Sequence, residues 1–233
     1  MSYNTQTCCR ACYGGLEVVF DLGMIAPSNF VECPTSITGT EVAPLVLVKC
    51  TNCNLVQLQH TIDLDQMYRQ YWYKSDLNAG MVNALRDVVT ETLKYTNLIE
   101  GEYCQKGDVV LDIGCNVGTM LSFFPEDVLK VGFDPALNLC SEASKNCDIF
   151  VNDYFTAEKY PLDQKAQIVT SIAMFYDLPD PNQFVEDVKS VMNHDGLWVI
   201  QLTDLLPMLQ LNEFTNAVFE HLEYYSLQWL VDF

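Results

Sequence analysis

Short apolar runs alternate with helically spaced apolar positions through the second half of the chain. Runs near 109–113, 129–133, 148–151, 167–172 and 197–202 have the length of buried strands, and segments near 118–124, 137–146 and 181–193 carry apolar residues on one helical face. This alternation predicts an α/β fold, a parallel sheet with helices on both faces and a ligand crevice at the carboxyl ends of its strands. Upstream, Leu77, Met81, Leu85, Val88, Val89, Leu93 and Leu98 form one stripe of a long helix, with Ser75 as its cap, an end near Ile99 and Gly101 just beyond. Nearer the N-terminus, 16–20 and 44–48 read as short strands. The pattern divides the chain into a module at 1–60, a bridge and helix at 61–107, and the α/β domain at 108–233.

The junction of the first two α/β strands carries the clearest chemistry. Asp112-Ile-Gly114-Cys-Asn116-Val-Gly118 is a tight turn of small residues leading into a helix, whose free N–H groups face the turn. The second strand ends in Asp134-Pro135, and a carboxylate there accepts hydrogen bonds from two ribose hydroxyls in nucleotide-binding sheets. The turn fits S-adenosylmethionine (AdoMet), a dinucleotide, or an ordinary strand–helix crossover. Neither a full G-x-G-x-x-G nor a phosphate-binding G-x-x-x-x-G-K-[ST] occurs, so no pyrophosphate cradle is present and AdoMet is favoured. Asp153, Tyr154 and Ala173 fall at the ends of later strands. Asp153 reads equally as an acceptor for the adenine amino group and as a solvated loop acid.

Cysteine spacing supplies a second centre. Cys9-Arg-Ala-Cys12 and Cys50-Thr-Asn-Cys53 are two C-x-x-C pairs, and two such turns complete a tetrahedral Cys₄ zinc site. A redox dithiol and unliganded thiols are the other readings. Zinc is favoured because it would staple a module too small to fold on its own core, and a closed Cys₄ site leaves zinc no open position for chemistry. The remaining cysteines, Cys8, Cys33, Cys104, Cys115, Cys140 and Cys147, are scattered and read as free thiols.

Composition narrows the partners. The net charge is −19, so the phosphate backbone of nucleic acid and an anionic membrane surface are both repelled. No apolar run approaches the roughly 18–20 residues of a membrane span, and the N-terminus lacks the features of a secretory signal, which points to the cytoplasm.

Two further clusters are chemically suggestive. Tyr68-Arg-Gln-Tyr71-Trp72-Tyr73-Lys-Ser75 is either packing between modules or a lid over a ligand. His60 and His194 read as junction and turn residues. Glu220-His221-Leu-Glu-Tyr224-Tyr225 places an imidazole beside an acid and two tyrosines, which suits general base chemistry as well as it suits a polar helix start.

Five blocks together resemble the three-domain sugar C-methyltransferases and their many relatives. They are the two-knuckle zinc module with Cys50-x-x-Cys53-x-Leu-Val-Gln-Leu58, then Tyr71-Trp-Tyr73-Lys-Ser75 with Asn78 and Met81, then Asp112 to Thr119, then Ser171 to Pro181, and finally Glu220 to Ser226. Asn116 stands where the general methyltransferase turn has glycine, as is usual in this family. The resemblance implies a class I methyltransferase sheet, AdoMet as methyl donor, structural zinc on Cys9, Cys12, Cys50 and Cys53, and a nucleotide-linked deoxy-keto-sugar as acceptor. It implies a cofactor site formed by Tyr73, Ser75, Asp112, Gly114, Asn116, Gly118, Asp134, Pro135, Asp153, Tyr154 and Ala173. It makes His221 the candidate base with Glu220 beside it, and Tyr224 and Tyr225 an aromatic pair at the acceptor.

Two departures from the family stand out. Phe175-Tyr176-Asp177-Leu178-Pro179 lacks a histidine common in characterised sugar enzymes. The family also continues well past the Glu-His block, so the sheet's last antiparallel strand pair and a third domain are expected to be missing. The 197–202 strand would then lie at an exposed apolar edge, open to self-association or to a partner that completes the fold. A non-catalytic zinc- and AdoMet-binding module is the alternative function.

Overall fold

A computed structural model describes residues 2–27, 41–98 and 104–233. Cys33, Ile99 and Gly101 lie outside the described residues. The strands are β1 (Tyr3–Thr5), β2 (Leu16–Ile25), β3 (Ala43–Cys50), β4 (Val56–Leu58), β5 (His60–Ile62), β6 (Val109–Ile113), β7 (Leu129–Phe133), β8 (Ile149–Val151), β9 (Ala166–Ile172), β10 (Met192–Gln201) and β11 (Glu223–Tyr224). The helices are α1 (Leu64–Tyr68), α2 (Ala79–Leu98), α3 (Cys140–Ala143), α4 (Pro181–Val191), α5 (Leu205–Gln210) and α6 (Leu227–Asp232). The chain forms two compact units: Met1–Met67 with Phe175–Asn182 and Leu202–Phe233, and Tyr68–Met174 with Gln183–Gln201. The expected division at 60 and 107 therefore gives way to a discontinuous one. Residues 175–182 and 202–233 group with the N-terminal module, because β11 pairs antiparallel with β4 and so extends the module's sheet.

The second unit is built on a parallel sheet in the order β10-β9-β6-β7-β8. Central β6 is buried at every position, as a strand covered on both faces must be. On one face Val110 and Ile168 pack against Leu85 and Val89 of α2, with Met81, Val88 and Leu93 alongside. Leu111, Val169 and Trp198 share the opposite face by register. There Phe133, Phe155, Phe184 of α4 and Trp198 form a ladder of rings with centroids 5.2, 5.7 and 6.1 Å apart. Among the described residues neither β8 nor β10 pairs with a further strand, and no helix is long and apolar enough to cross a membrane.

Several expected elements differ. Asn78, not Ser75, caps α2: its Oδ1 accepts from the N–H groups of Gly80 and Met81 at 2.8 and 3.4 Å. Leu77 precedes the helix and is exposed. The helix expected near 118–124 shrinks to a 3₁₀ turn, Leu121–Phe123, because Pro125 forces Phe124 into an extended conformation. The segment near 137–146 is regular only over α3. The turn expected at 194–196 is the irregular part of β10, where its register with β9 shifts between Met192 and Leu197.

The first unit has an antiparallel sheet ordered β11-β4-β3-β2 and a separate β1–β5 ribbon. Its core gathers Leu45, Leu58 and Ile62 from the N-terminal segment with Met208, Phe219, Leu222 and Tyr224 from the C-terminal one.

Gly132 in β7 shows how tightly the sheet face is packed. A Cβ there would lie 2.7 Å from Cys147 Sγ and 2.9 Å from Cys115 Sγ. Gly132→Ala should destabilise the protein by about 1–3 kcal/mol, read as a lower urea midpoint.

Candidate active site

The four cysteines of the first unit converge. Their sulfur atoms all lie within 4.8 Å of one another, with Cys9 to Cys53 at 3.7 Å and Cys12 to Cys50 at 3.4 Å. A tetrahedral ion with bonds of about 2.3 Å needs sulfurs about 3.8 Å apart, so the cluster fits zinc. Each pair sits on a knuckle closed by backbone hydrogen bonds, Tyr13 N to Cys9 O at 3.0 Å and Asn54 N to Cys50 O at 3.1 Å, with Tyr13 and Asn54 at positive φ. The Asn52 N–H donates to Cys50 Sγ at 3.3 Å. Gly14 is required by closeness: a Cβ there would lie 2.8 Å from Asn52 Cβ and 2.9 Å from Cys50 Sγ. These residues would hold zinc and leave it no open position.

In the second unit, β6 ends in a turn with Gly114, Asn116 and Gly118 all at positive φ, 76°, 53° and 74°. The N–H groups of Gly114 and Cys115 both donate to Phe133 O at 2.9 Å, which ties the turn to the end of β7. Asp134 follows directly. Its Oδ2 accepts from Asn116 N at 2.8 Å and its Oδ1 from Ala136 N at 2.9 Å. Burial nevertheless pushes this carboxyl up to about 6. Asp112, fully enclosed and hydrogen-bonded by Thr170 Oγ1 at 2.7 Å, is pushed up to about 7 by burial. Ala173, at the end of β9, holds a φ of 53°, and Met174 beside it lies against Gly114.

Asn116 explains itself once its side chain is followed. The Oδ1 accepts from Ser75 N and from Val117 N, each at 3.0 Å, and the Nδ2 donates to Tyr73 O at 3.0 Å. Ser75 Oγ lies 3.0 Å from Thr119 Oγ1. A second carboxamide, Asn138, brackets Tyr71 in the same way, accepting from its N–H at 2.9 Å and donating to its carbonyl at 2.7 Å. The aromatic segment from Arg69 to Ser75 is therefore a strap sewn to the turn and to the residues after β7. Arg69 anchors its start, donating to Asp153 Oδ1 at 3.0 Å and lying over the Tyr154 ring at 4.9 Å. Asp153 also pairs with Lys159 at 2.7 Å, and its carboxyl is held low by Lys159, with Arg69 adding to the effect. Tyr73, Ser75, Asn116, Asp134 and Pro135 are thus brought together around the turn, with Asp153 and Tyr154 at the strap's far end. Asn138 and Arg69 carried no sequence signal of their own.

The Glu220–Tyr225 block belongs to the first unit. His221 Nδ1 lies 3.0 Å from Asn216 O, and its ring meets Tyr176 edge-on at 4.3 Å. A carbonyl only accepts, so Nδ1 carries the hydrogen and Nε2 keeps its lone pair. Burial lowers the His221 pKa and raises that of Glu220. The group that orients Nδ1 is thus a backbone carbonyl rather than the expected neighbouring carboxylate. Tyr224 OH donates to the same Asn216 carbonyl at 3.3 Å, so its hydroxyl braces the loop that holds His221. Tyr225 is 1% exposed and packs between Phe175 and Trp229.

Comparison with known proteins now bears on the site. A family model described as "Putative zinc binding domain" matches residues 9–68, and one described as "Methyltransferase domain" matches residues 79–232. The chain belongs to the methyltransferase-domain family. The methyltransferase domain's cofactor is AdoMet, and the four-cysteine module's is zinc. The chain is 28% identical over 229 residues to the C-methyltransferase NovU of Streptomyces niveus, across 94% of this chain and 52% of that protein. It therefore spans about half the length of that curated relative. Among solved structures, the plantazolicin methyltransferase BpumL in complex with a pentazolic desmethylPZN analog and SAH is similar in fold, with a TM-score of 0.53 at 13% identity over 65% of this chain and 62% of that one. A second BpumL complex with SAH gives 0.50 at 13% identity over 68% of each. The likeness is one of fold, the class I methyltransferase fold with a five-stranded parallel sheet, as the sequence pattern predicts.

Two outcomes test the site. Asn116→Gly keeps a residue at ease with positive φ but removes the clasp. It should speed amide exchange at 73–75 and weaken AdoMet binding about tenfold by calorimetry. Ribose hydroxyls would bind the ionised form of Asp134, which is held protonated below about 6. AdoMet affinity should therefore rise as pH goes from about 5 to 7, while the ligand-free protein loses stability over the same range because its folded state holds protons the unfolded chain has released. Asp134→Asn should flatten the affinity profile.

Proposed function

We propose that the chain is an AdoMet-dependent C-methyltransferase that alkylates the carbon beside a ketone in a nucleotide-linked deoxy-sugar. The observation that carries this reading is the state of His221: a half-buried imidazole, neutral near pH 7, with Nδ1 fixed on a carbonyl and Nε2 left as a base. Similarity to a C-methyltransferase along 94% of the chain supports the same chemistry.

A ketone acidifies the adjacent C–H. In the proposed reaction His221 Nε2 takes that proton, and the resulting enolate carbon attacks an electrophilic methyl group. AdoMet, when bound, supplies that methyl on a sulfonium. Asp134, Asn116 and the Tyr73–Ser75 part of the strap hold and enclose the cofactor. In this reaction Glu220, whose carboxyl pKa burial raises, would donate toward the developing enolate oxygen. Tyr224 acts as a positioning residue through Asn216. A second reading follows from the chain spanning 52% of the relative: a zinc- and AdoMet-binding module whose acceptor site is completed by another polypeptide, a partner or a second copy.

Radiolabelled AdoMet with a nucleotide-linked 4-keto-deoxy-sugar should yield methylated sugar. Loss of the substrate's α-deuterium to water isolates the base step. His221→Gln should lower both by about 10²–10⁴-fold while sparing AdoMet affinity. Because the base works unprotonated, the wild-type rate should rise with pH through a midpoint below 6.5. Undiminished exchange in His221→Gln would assign the base elsewhere. AdoMet binding without any turnover would favour the second reading.

A further inference from the structure

Arg10 sits between two zinc-ligand cysteines, where a long cationic side chain would ordinarily reach for solvent. Here it is 4% exposed. Its Nη1 donates to Leu58 O at 2.6 Å and its Nη2 to Thr61 Oγ1 at 2.7 Å, while its backbone N–H donates to Gln57 Oε1 at 3.1 Å. Its Nε faces Glu223 Oε1 at 3.4 Å, with both side chains essentially shut off from water. Asn182 closes the knuckle from outside, donating to the carbonyls of Arg10 and Ala11 at 3.1 and 2.8 Å.

Glu223 is two residues from His221 and begins β11. The strand pairs Glu223 with Gln57 and Tyr224 with Val56, so each residue that Arg10 holds on β4 is also a partner or neighbour of β11. Leu222 is fixed twice more, its carbonyl accepting from Leu58 N at 2.8 Å and its N–H donating to Tyr176 O at 2.7 Å. Farther along, Trp229 Nε1 donates to the carbonyl of Cys53, a residue of the second knuckle, at 3.0 Å. Both knuckles thus grip the segment that carries His221, one by a guanidinium and one by a backbone carbonyl.

We propose that Arg10 is a positioning residue that transmits the geometry of the zinc knuckle through Glu223 to His221, so that zinc binding and the set of the catalytic block are linked. The proposal rests on His221 being the base only for its functional consequence; the linkage itself is a property of the fold. Zinc here does no chemistry and takes no substrate. It fixes the Cys9–Cys12 turn, the turn fixes Arg10, and the planar fork of Arg10 fixes β11 against β4. A lysine, a point charge on a flexible stem, cannot reproduce that fork.

The test uses the full zinc-loaded chain. It contains three histidines, so the ring protons of His221 can be followed by NMR through a pH titration. In the wild type His221 should titrate below 6.5, with the Tyr176 ring and Tyr224 hydroxyl around it. Arg10→Met should move that midpoint up toward 6.5 and speed amide exchange at 220–224, while AdoMet affinity stays as it was. Arg10→Lys should move it in the same direction by less. Stripping zinc with a chelator should reproduce the Arg10→Met shift. Should Arg10→Met fail to fold, Thr61→Val and Glu223→Gln each remove one partner, and both should shift His221 the same way. An unmoved His221 titration in these variants, with zinc retained, overturns the linkage. If His221 shifts but turnover is indifferent to it, the linkage stands and the base assignment falls. If both stand, kcat falls with the KM for AdoMet unchanged.

Discussion

A polar side chain taken out of water must find partners for its atoms, and both units are arranged around that demand. In the second unit the carboxamide of Asn116 meets it with two donors and one acceptor, and in doing so fastens the strap to the turn after β6. In the first, Arg10 meets it with a carbonyl and a hydroxyl, while its Nε faces a buried acid at 3.4 Å as an ion pair without a hydrogen bond. An unmet buried hydrogen bond costs about 1–3 kcal/mol, and an unpaired buried charge costs more. Such groups therefore fix geometry more sharply than apolar packing, which tolerates slippage between similar arrangements. The turn and the His221 block are the two places where the proposed chemistry needs that sharpness.

Electrostatics is used with similar economy. The chain carries 31 acidic against 12 basic residues, yet the carboxylates near the turn are handled individually. Asp153 is paired with two cations and stays ionised. Asp112 and Asp134 are enclosed and held closer to neutrality. Asp112 is braced by a threonine hydroxyl instead of a cation.

What could be read from residues alone follows the range of the forces involved. Apolar runs placed all five parallel strands, since a doubly covered strand is apolar whatever its neighbours. The two C-x-x-C pairs announced their cluster because a metal imposes local spacing. The helix cap was misassigned between Ser75 and Asn78, two good capping residues, because Ser75 is claimed by partners 41 and 44 residues away. Pro125 did signal the short turn after Gly118, and the apolar pattern around it outweighed that signal. Arg10 was illegible: nothing local marks an arginine between two cysteines as buried, and its acid lies near the other end of the chain. The two-residue strand β11 was illegible for the same reason, and with it the grouping of 202–233 with the N-terminal module.

That grouping has a consequence for synthesis. The knuckles that bind zinc emerge from the ribosome well before the strand that extends their sheet and the tryptophan that donates to the Cys53 carbonyl, 176 residues away. The sheet of the second unit has all its strands available before then. Zinc capture early in translation would hold the two cysteine turns as a local nucleus while the long loop between them and β11 remains open. Closing that loop is the entropically slow event. The module that can take its metal before the second unit is made is thus completed only after β11 has followed that unit.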